Sequence, residues 1–265
     1  MKRVIGYVLR KPSGRKSMQK IYETLFRLSL TGLNYGNGGD FKDSGELYVL
    51  KYIKEKLGAE KSITLFDVGG NVGNYSKTLA GIFTDNAVIH AFEPSKITFE
   101  IFLKTTAGIT NIVPNNFGLS DIATDVILYA NNDNSGLSSV YQRNLAHFGI
   151  AMDKTEKIQL STVDLYCQKN NINRIHFLKL DVEGHELNVM KGANLMISNK
   201  KVDFIQFEFG GCNIDSRTYF QDFYYLLKDK YVIYRILKDG LQEIQQYDER
   251  NEIFITINYL AIKRD

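Results

Sequence analysis

The sequence predicts an α/β fold built on a doubly wound, mostly parallel sheet that finishes in antiparallel strands. Three observations predict it. From residue 63 onward, short β-branched and aromatic runs alternate with helical patterns about ten to twelve residues long, the signature of βαβ units. The first run passes directly into a glycine-rich turn, LFDVGGNVGN (65–74). Residues 231–262 hold three strand-like runs with no helical pattern between them.

Taken in order, residues 63–68 (ITLFDV) read as a buried strand and 72–82 as a helix. Residues 87–92 (AVIHAF) are a second strand. The helix over 94–105 carries Pro94 near its first turn, where a missing N–H costs nothing. A third strand, 112–117, ends in a turn at Gly118. A β-rich insert follows, with strand-like runs at 125–130 and 157–162 and a polar loop, NNDNSGLSS, at 131–139. Residues 175–180 (IHFLKL) form a strand leading into a helix over 185–196, and 202–209 (VDFIQFEF) a strand before a helix over 218–228. The closing runs are 231–237, 241–247 and 253–262, the first two joined by the hairpin-type turn Lys238-Asp239-Gly240. Upstream, 19–30 reads as helical and 31–40 as turn-rich. No internal repeat or linker is visible. The expected organisation is an N-terminal extension over 1–50 and a single domain over 51–265, with the β-rich insert near 125–162.

The chain has 265 residues, 44% hydrophobic and 24% charged, which excludes a disordered or low-complexity polymer and allows a full core without staples. Cys167 and Cys212 are too few for a disulfide framework and have no Cys or His neighbour at metal-ligand spacing, so a reducing, cytoplasmic setting is expected. The apolar run at 4–9 is too short for a signal-peptide core or a membrane span. Net charge is only +3, but Lys2, Arg3, Arg10, Lys11, Arg15, Lys16 and Lys20 fall in the first twenty residues with no acid among them. Two readings of this arm stand: contact with a phosphate, a nucleotide-sugar or a membrane surface, or a solvated extension. Nothing resembles an RNA- or DNA-reading motif.

The strand–glycine turn–helix segment at 65–74 is where an open α/β sheet binds a nucleotide-like ligand, and glycine there permits positive φ and close approach. Twenty residues after Gly73, Glu93 ends the second strand, placed to accept from both ribose hydroxyls. A phosphate-cradling loop would need Lys-Ser/Thr after its last glycine, where this chain has Asn74-Tyr75. A dinucleotide loop counted from Gly69 would need glycines at Asn71 and Asn74. Charge discriminates further. Asp67 beside the loop would repel a pyrophosphate, whereas S-adenosylmethionine carries no phosphate and has a cationic ammonium and sulfonium. The alternative is that Gly69, Gly70 and Gly73 serve only tight helix–strand packing, which leaves Asp67 and Glu93 at neighbouring strand tips unexplained.

With these residues in view, the chain resembles the FkbM family of S-adenosylmethionine-dependent methyltransferases (EC 2.1.1). The resemblance rests on FDVGGNVGNYS (66–76), AFEPS (91–95), NNFGLSD (115–121), LSTVDLY (160–166), FLKLDVEGHELNVMKGA (177–193) and FIQFEFG (204–210), with NYGNGGDFKDSGE (34–46) upstream. It implies a Rossmann-like sheet of the class I methyltransferase fold and transfer of methyl to a hydroxyl, commonly of a sugar or a polyketide-type natural product. By motif position it implies that Asp67, Gly69 and Asn71 line the methionine end of the cofactor. Glu93 would hold the ribose, with Pro94 and Ser95 close by, and Asp121 would accept from the adenine amino group.

Methyl transfer to a hydroxyl needs a base, or an acidifying metal, at the carboxyl tips of the central strands. Lys179-Leu180-Asp181-Val182-Glu183-Gly184-His185 is such a tip, and alternation sets Lys179 and Asp181 on one face. Asp181 is the first choice for catalysis or acceptor positioning. His185 is a base by ordinary pKa or a residue of the next helix's first turn. Glu183 and Glu208 are candidate acceptor-binding carboxylates, with Tyr35 as a candidate stacking surface. Glu186 reads as a helix-start acid. A divalent metal on Asp181, Glu183 and Glu208 is conceivable, but no ligand set is complete in the local sequence. The expected partner is a hydroxylated small molecule or glycan. Methylation of RNA or protein, or a nucleoside-binding module without catalysis, are the competing readings.

Overall fold

In a computed structural model, residues 13–37, 43–58, 60–84, 86–133 and 135–265 are described. The helices are α1 (Gln19–Gly32), α2 (Glu46–Leu57), α3 (Asn74–Ile82), α4 (Lys96–Thr105), α5 (Val163–Lys169), α6 (Glu186–Gly192), α7 (Asn194–Ser198), α8 (Cys212–Ser216) and α9 (Phe220–Leu227). The strands are β1 (Ile63–Val68), β2 (Ala87–Phe92), β3 (Ile112–Asn115), β4 (Gly118–Leu119), β5 (Thr124–Ala130), β6 (Lys154–Ser161), β7 (Ile175–Leu180), β8 (Val202–Phe209), β9 (Tyr231–Leu237), β10 (Gly240–Glu243) and β11 (Ile257–Lys263). Of the basic arm, Lys2, Arg3, Arg10 and Lys11 lie outside the described residues.

Eight strands form one sheet in the order β10-β9-β11-β8-β7-β1-β2-β3. β3, β2, β1, β7 and β8 run parallel, and β11 enters antiparallel between β8 and β9. This is the doubly wound sheet with antiparallel C-terminal strands that the sequence predicts. The chain leaves β1 for β2 and β3 on one side and returns through β7 on the other, so the direction of winding reverses between β1 and β7. Ligands bind outside the carboxyl ends of the strands at such a point.

Alternation along each strand sends side chains to both faces. Phe66, Val68, Phe92, Leu178 and Phe207 enter one buried cluster, with α5, α6, α7 and α9 over it. Leu65, Ile89, Phe177, Phe204 and Leu260 enter the other, under α2, α3 and α4. The sequence reading does not name α2, although Val49, Leu50, Ile53 and Leu57 recur at helical spacing and are all buried. The helix expected over 185–196 is two helices meeting at Ala193. At the junction a Cβ on Gly192 would lie 1.9 Å from the Ser120 carbonyl oxygen, so the backbone of the β4 loop packs directly on the break. The closing strand starts at Ile257 rather than 253. The insert forms a second sheet, β4-β6-β5, in which β5 pairs antiparallel with β6 over seven residues.

Candidate active site

β1 and β7 lie side by side with Val68 opposite Leu180, and the Asp181 N–H donates to the Val68 carbonyl at 3.1 Å. Their tips therefore face each other. Gly69 has φ +84°, and a Cβ there would sit 1.8 Å from the Asp181 carbonyl oxygen. Only glycine lets the two tips close to this distance. A Cβ on Gly70 or Gly73 would press the Phe102 ring of α4 at 3.0–3.2 Å, and Gly73 also holds φ +88°.

The turn opens on a cleft of about 730 Å³. One wall is apolar: Phe92, Pro94, Leu119, Leu128, Ile158 and Leu160, the last four from the second sheet. The other carries Glu93, Asp181 and Glu183. Among the described residues, no Lys or Arg lines it. The Glu93 carboxylate accepts the Asn71 N–H at 3.0 Å and the Ser95 N–H at 2.9 Å. Burial nevertheless raises its pKa to about 7. Pro94 lines the cleft, while Ser95 caps α4 by accepting from Thr98.

Asp67 is fully buried and does not line the cleft. Its carboxylate is taken up by the Ser76 hydroxyl at 2.6 Å and the Lys179 ammonium at 3.2 Å. Lys179 also reaches the Asp181 carboxylate at 3.3 Å and the Gly69 carbonyl at 3.3 Å, and lies over the Tyr75 ring. Burial alone would lower its pKa; Asp67, Asp181 and Glu46 override this and raise it, so the lysine is a fixed cation behind the cleft. Asp181 is the carboxylate of this trio that reaches solvent, its side chain 46% exposed.

Asp181 and Glu183 also line a second groove, of about 1440 Å³, that runs from the cleft over Arg143, Phe148, Glu208 and Cys212 to Phe254–Thr256. Glu183 holds φ +52°, unusual for a residue with a side chain, and is fixed from two sides. The Ser139 hydroxyl donates to its carbonyl at 2.8 Å, and the Arg143 guanidinium pairs with its carboxylate. Arg143 in turn faces Asp215 at 3.6 Å. Burial, then repulsion from Asp181, pushes the Glu183 pKa up to about 8 against the pull of Arg143. Glu208 is driven well above the carboxylate range by burial and by Asp181 and Glu183.

His185 closes the cleft at the start of α6. One ring nitrogen meets the Ser120 hydroxyl at 2.8 Å, the other the Tyr141 hydroxyl at 3.0 Å, and burial lowers its pKa to about 4. Glu186 turns back to accept the Val182 and Gly184 N–H groups, which makes it the cap of this turn. Asp121 lies on the surface, bonded by Ser120 and outside the cleft lining. Tyr35 is buried against the Arg235 guanidinium and lines neither cavity. The sequence reading misses Arg143, Ser139 and Asp215, whose relation to Glu183 has no local signal.

Glu183, Glu208 and Cys212 each bring one possible metal-ligand atom within 4.8 Å of the others. The Cys212 thiol is raised by burial and both carboxyls are pushed up, so each ligand would have to give up a proton first. The set mixes a soft thiol with hard oxygens and suits Mg²⁺ or Ca²⁺ poorly.

A cleft lined by acids at the winding reversal of a mostly parallel α/β sheet lies where such folds place a ligand, beside an open groove. Residues 67–233 match the Methyltransferase FkbM domain, and the chain belongs to that methyltransferase family. It is 29% identical over 149 residues to the hexuronic acid methyltransferase AglP of Haloferax volcanii, covering 56% of this chain and 56% of that protein. It is 24% identical over 147 residues to Methyltransferase 1 of Beauveria bassiana, covering 49% and 58%. The chain thus spans little more than half the length of either curated relative. A SAM-dependent methyltransferase structure from Agrobacterium tumefaciens superposes with a TM-score of 0.43 at 7% identity, over 85% of this chain and 63% of that one.

Proposed function

We propose that the protein is an S-adenosylmethionine-dependent O-methyltransferase acting on a hydroxyl of a sugar or glycan. The observation that carries this reading is a cleft with three carboxylates and no Lys or Arg among its described lining residues, continuous with a second groove at Asp181 and Glu183. The described lining offers a diphosphate no cation to pair with, whereas its carboxyl groups can accept hydrogen bonds from a phosphate-free nucleoside and its cationic amino-acid end. When bound, that cofactor supplies an electrophilic methyl group.

The protein's own residues divide the remaining tasks. Glu93 accepts from the ribose hydroxyls, and the apolar wall from the insert covers the base. Asp181 orients the acceptor hydroxyl, held by Lys179 from behind. Glu183 takes the proton as the new C–O bond forms; with its pKa raised to about 8, this role calls for turnover that climbs as pH rises toward 8 and the carboxyl ionises. His185, neutral and bonded through both nitrogens, ties β4 and the insert to the cleft.

The groove favours a sugar or glycan over RNA, because Arg143 is its sole described cation and already pairs with Glu183. The similarity to a hexuronic acid methyltransferase supports a sugar as acceptor. Incubation with S-adenosylmethionine and a panel of sugars and glycans tests this, read as a gain of 14 mass units per methyl on oxygen. Transfer to nitrogen or carbon, or to RNA alone, overturns it.

A further inference from the structure

The geometry points to a second functional surface: we propose that α1 is an interfacial helix that docks the protein on an anionic lipid bilayer. Around the circumference of α1 the residues sort into two halves. Ile21, Tyr22, Leu25, Phe26, Leu28 and Leu30 occupy one, with Gln19 and Ser29 among them; Lys20, Glu23, Thr24, Arg27 and Thr31 occupy the other. In a helix belonging wholly to the fold, the apolar half would face the core. Here Leu30 is its one buried residue, and Ile21, Leu25, Phe26 and Leu28 are 51–64% exposed. Four large apolar side chains on one helix form a patch of the kind that marks a contact site.

Charge identifies the occupant. Between Ser13 and Leu33, Arg15, Lys16, Lys20 and Arg27 face one acid, Glu23, and the sequence ahead of them adds Lys2, Arg3, Arg10 and Lys11 with no acid. An apolar helix face flanked by Lys and Arg is the complement of a surface with hydrocarbon below and negative headgroups above. A second protein copy would bring the same positive charge to the contact and be repelled. α1 also ends four residues before Gly36, which lines the acceptor groove and donates its N–H to Thr256 at 2.9 Å. α1 is therefore joined to the groove by a short turn of the chain. The proposal needs no cofactor and stands apart from the methyl-transfer reading.

Because the chain contains no Trp, one introduced indole reports on the helix alone. The test is fluorescence of the Leu28→Trp variant, with co-sedimentation of the unaltered protein, on vesicles of phosphatidylcholine with or without phosphatidylglycerol. Docking predicts a blue-shifted emission and pelleting on the phosphatidylglycerol vesicles, weakened several-fold by added salt. It also predicts loss of pelleting in a Leu25→Glu/Leu28→Glu variant that melts as the unaltered protein does. An unshifted indole on both vesicle types overturns the proposal. So does equal pelleting of the double variant, or a concentration-dependent dimer in light scattering that the double variant dissolves.

Discussion

Lys179 shows how one buried charge organises the site. Its ammonium joins Asp67, Asp181 and the Gly69 carbonyl, so it binds the tips of β1 and β7 together and fixes the exposed carboxylate. Removing one partner of a buried pair leaves an uncompensated charge. Lys179→Met should therefore cost about 3–5 kcal/mol in denaturant unfolding, and adding Asp67→Asn should restore part of it. At Gly69, alanine would add strain at positive φ to a clash with Asp181; we expect a loss of about 2–4 kcal/mol and no cofactor binding in calorimetry. Glu93→Gln should leave the fold intact and weaken S-adenosylhomocysteine binding about tenfold or more. In the unaltered protein that affinity should fall as pH drops through about 7, where Glu93 takes up a proton. A pH-independent affinity would remove Glu93 from the ribose.

At the scale of elements, the insert does more than cover the sheet. β5 and β6 supply Leu128, Ile158 and Leu160 to the cleft, and the segment after β5 supplies Ser139, Tyr141 and Arg143 to Glu183 and His185. Arg143→Ala should release the Glu183 turn, lowering turnover more than cofactor affinity, a split read by comparing kcat with calorimetric Kd. The helix starts carry smaller terms. Thr162 caps α5 by accepting the Leu165 N–H at 3.1 Å and does not itself line the cleft. Thr162→Ala should cost about 1 kcal/mol in thermal unfolding and leave cofactor affinity unchanged. The strand runs were legible in the sequence because they depend on neighbours in the chain; the sequence reading does not name α5 or its cap, and places Thr162 in a strand-like run. The insert's role was not legible either, because its contacts join strands to loops tens of residues apart.

At the scale of the whole molecule, the site stores opposed protonation costs. Burial raises Glu93 and Glu186 to about 7 and Glu183 to about 8, from an ordinary 4.5. The folded state thus holds protons that the unfolded chain has released, and stability falls as pH rises through that window. Burial lowers His90 and His185 to about 4 from 6.5. Those groups oppose the trend below pH 6.5, where the unfolded chain takes up the protons. Above 6.5 only the carboxyls contribute. The melting temperature of the cofactor-free protein should therefore fall between about pH 6.5 and 8. A flat or rising profile there would mean that the acid cluster is solvated.

The sequence by itself determined the alternation of strands and helices, the glycine turn, and the acids at the strand tips. Each of these follows from residues close along the chain, through side-chain period, positive φ and strand direction. It did not determine which acids meet solvent. Asp67 and Glu93 look alike as carboxylates at adjacent tips, yet one is spent on Lys179 and Ser76 and the other lines the cleft. Tyr35 sits in the motif-rich upstream segment, yet packs against Arg235. Arg143 finds Glu183 forty residues away, and Ser120 finds His185 sixty-five away. Only the tertiary structure decided these, because pairing across the sheet and insert depends on register, and burial then sets which charges must be matched.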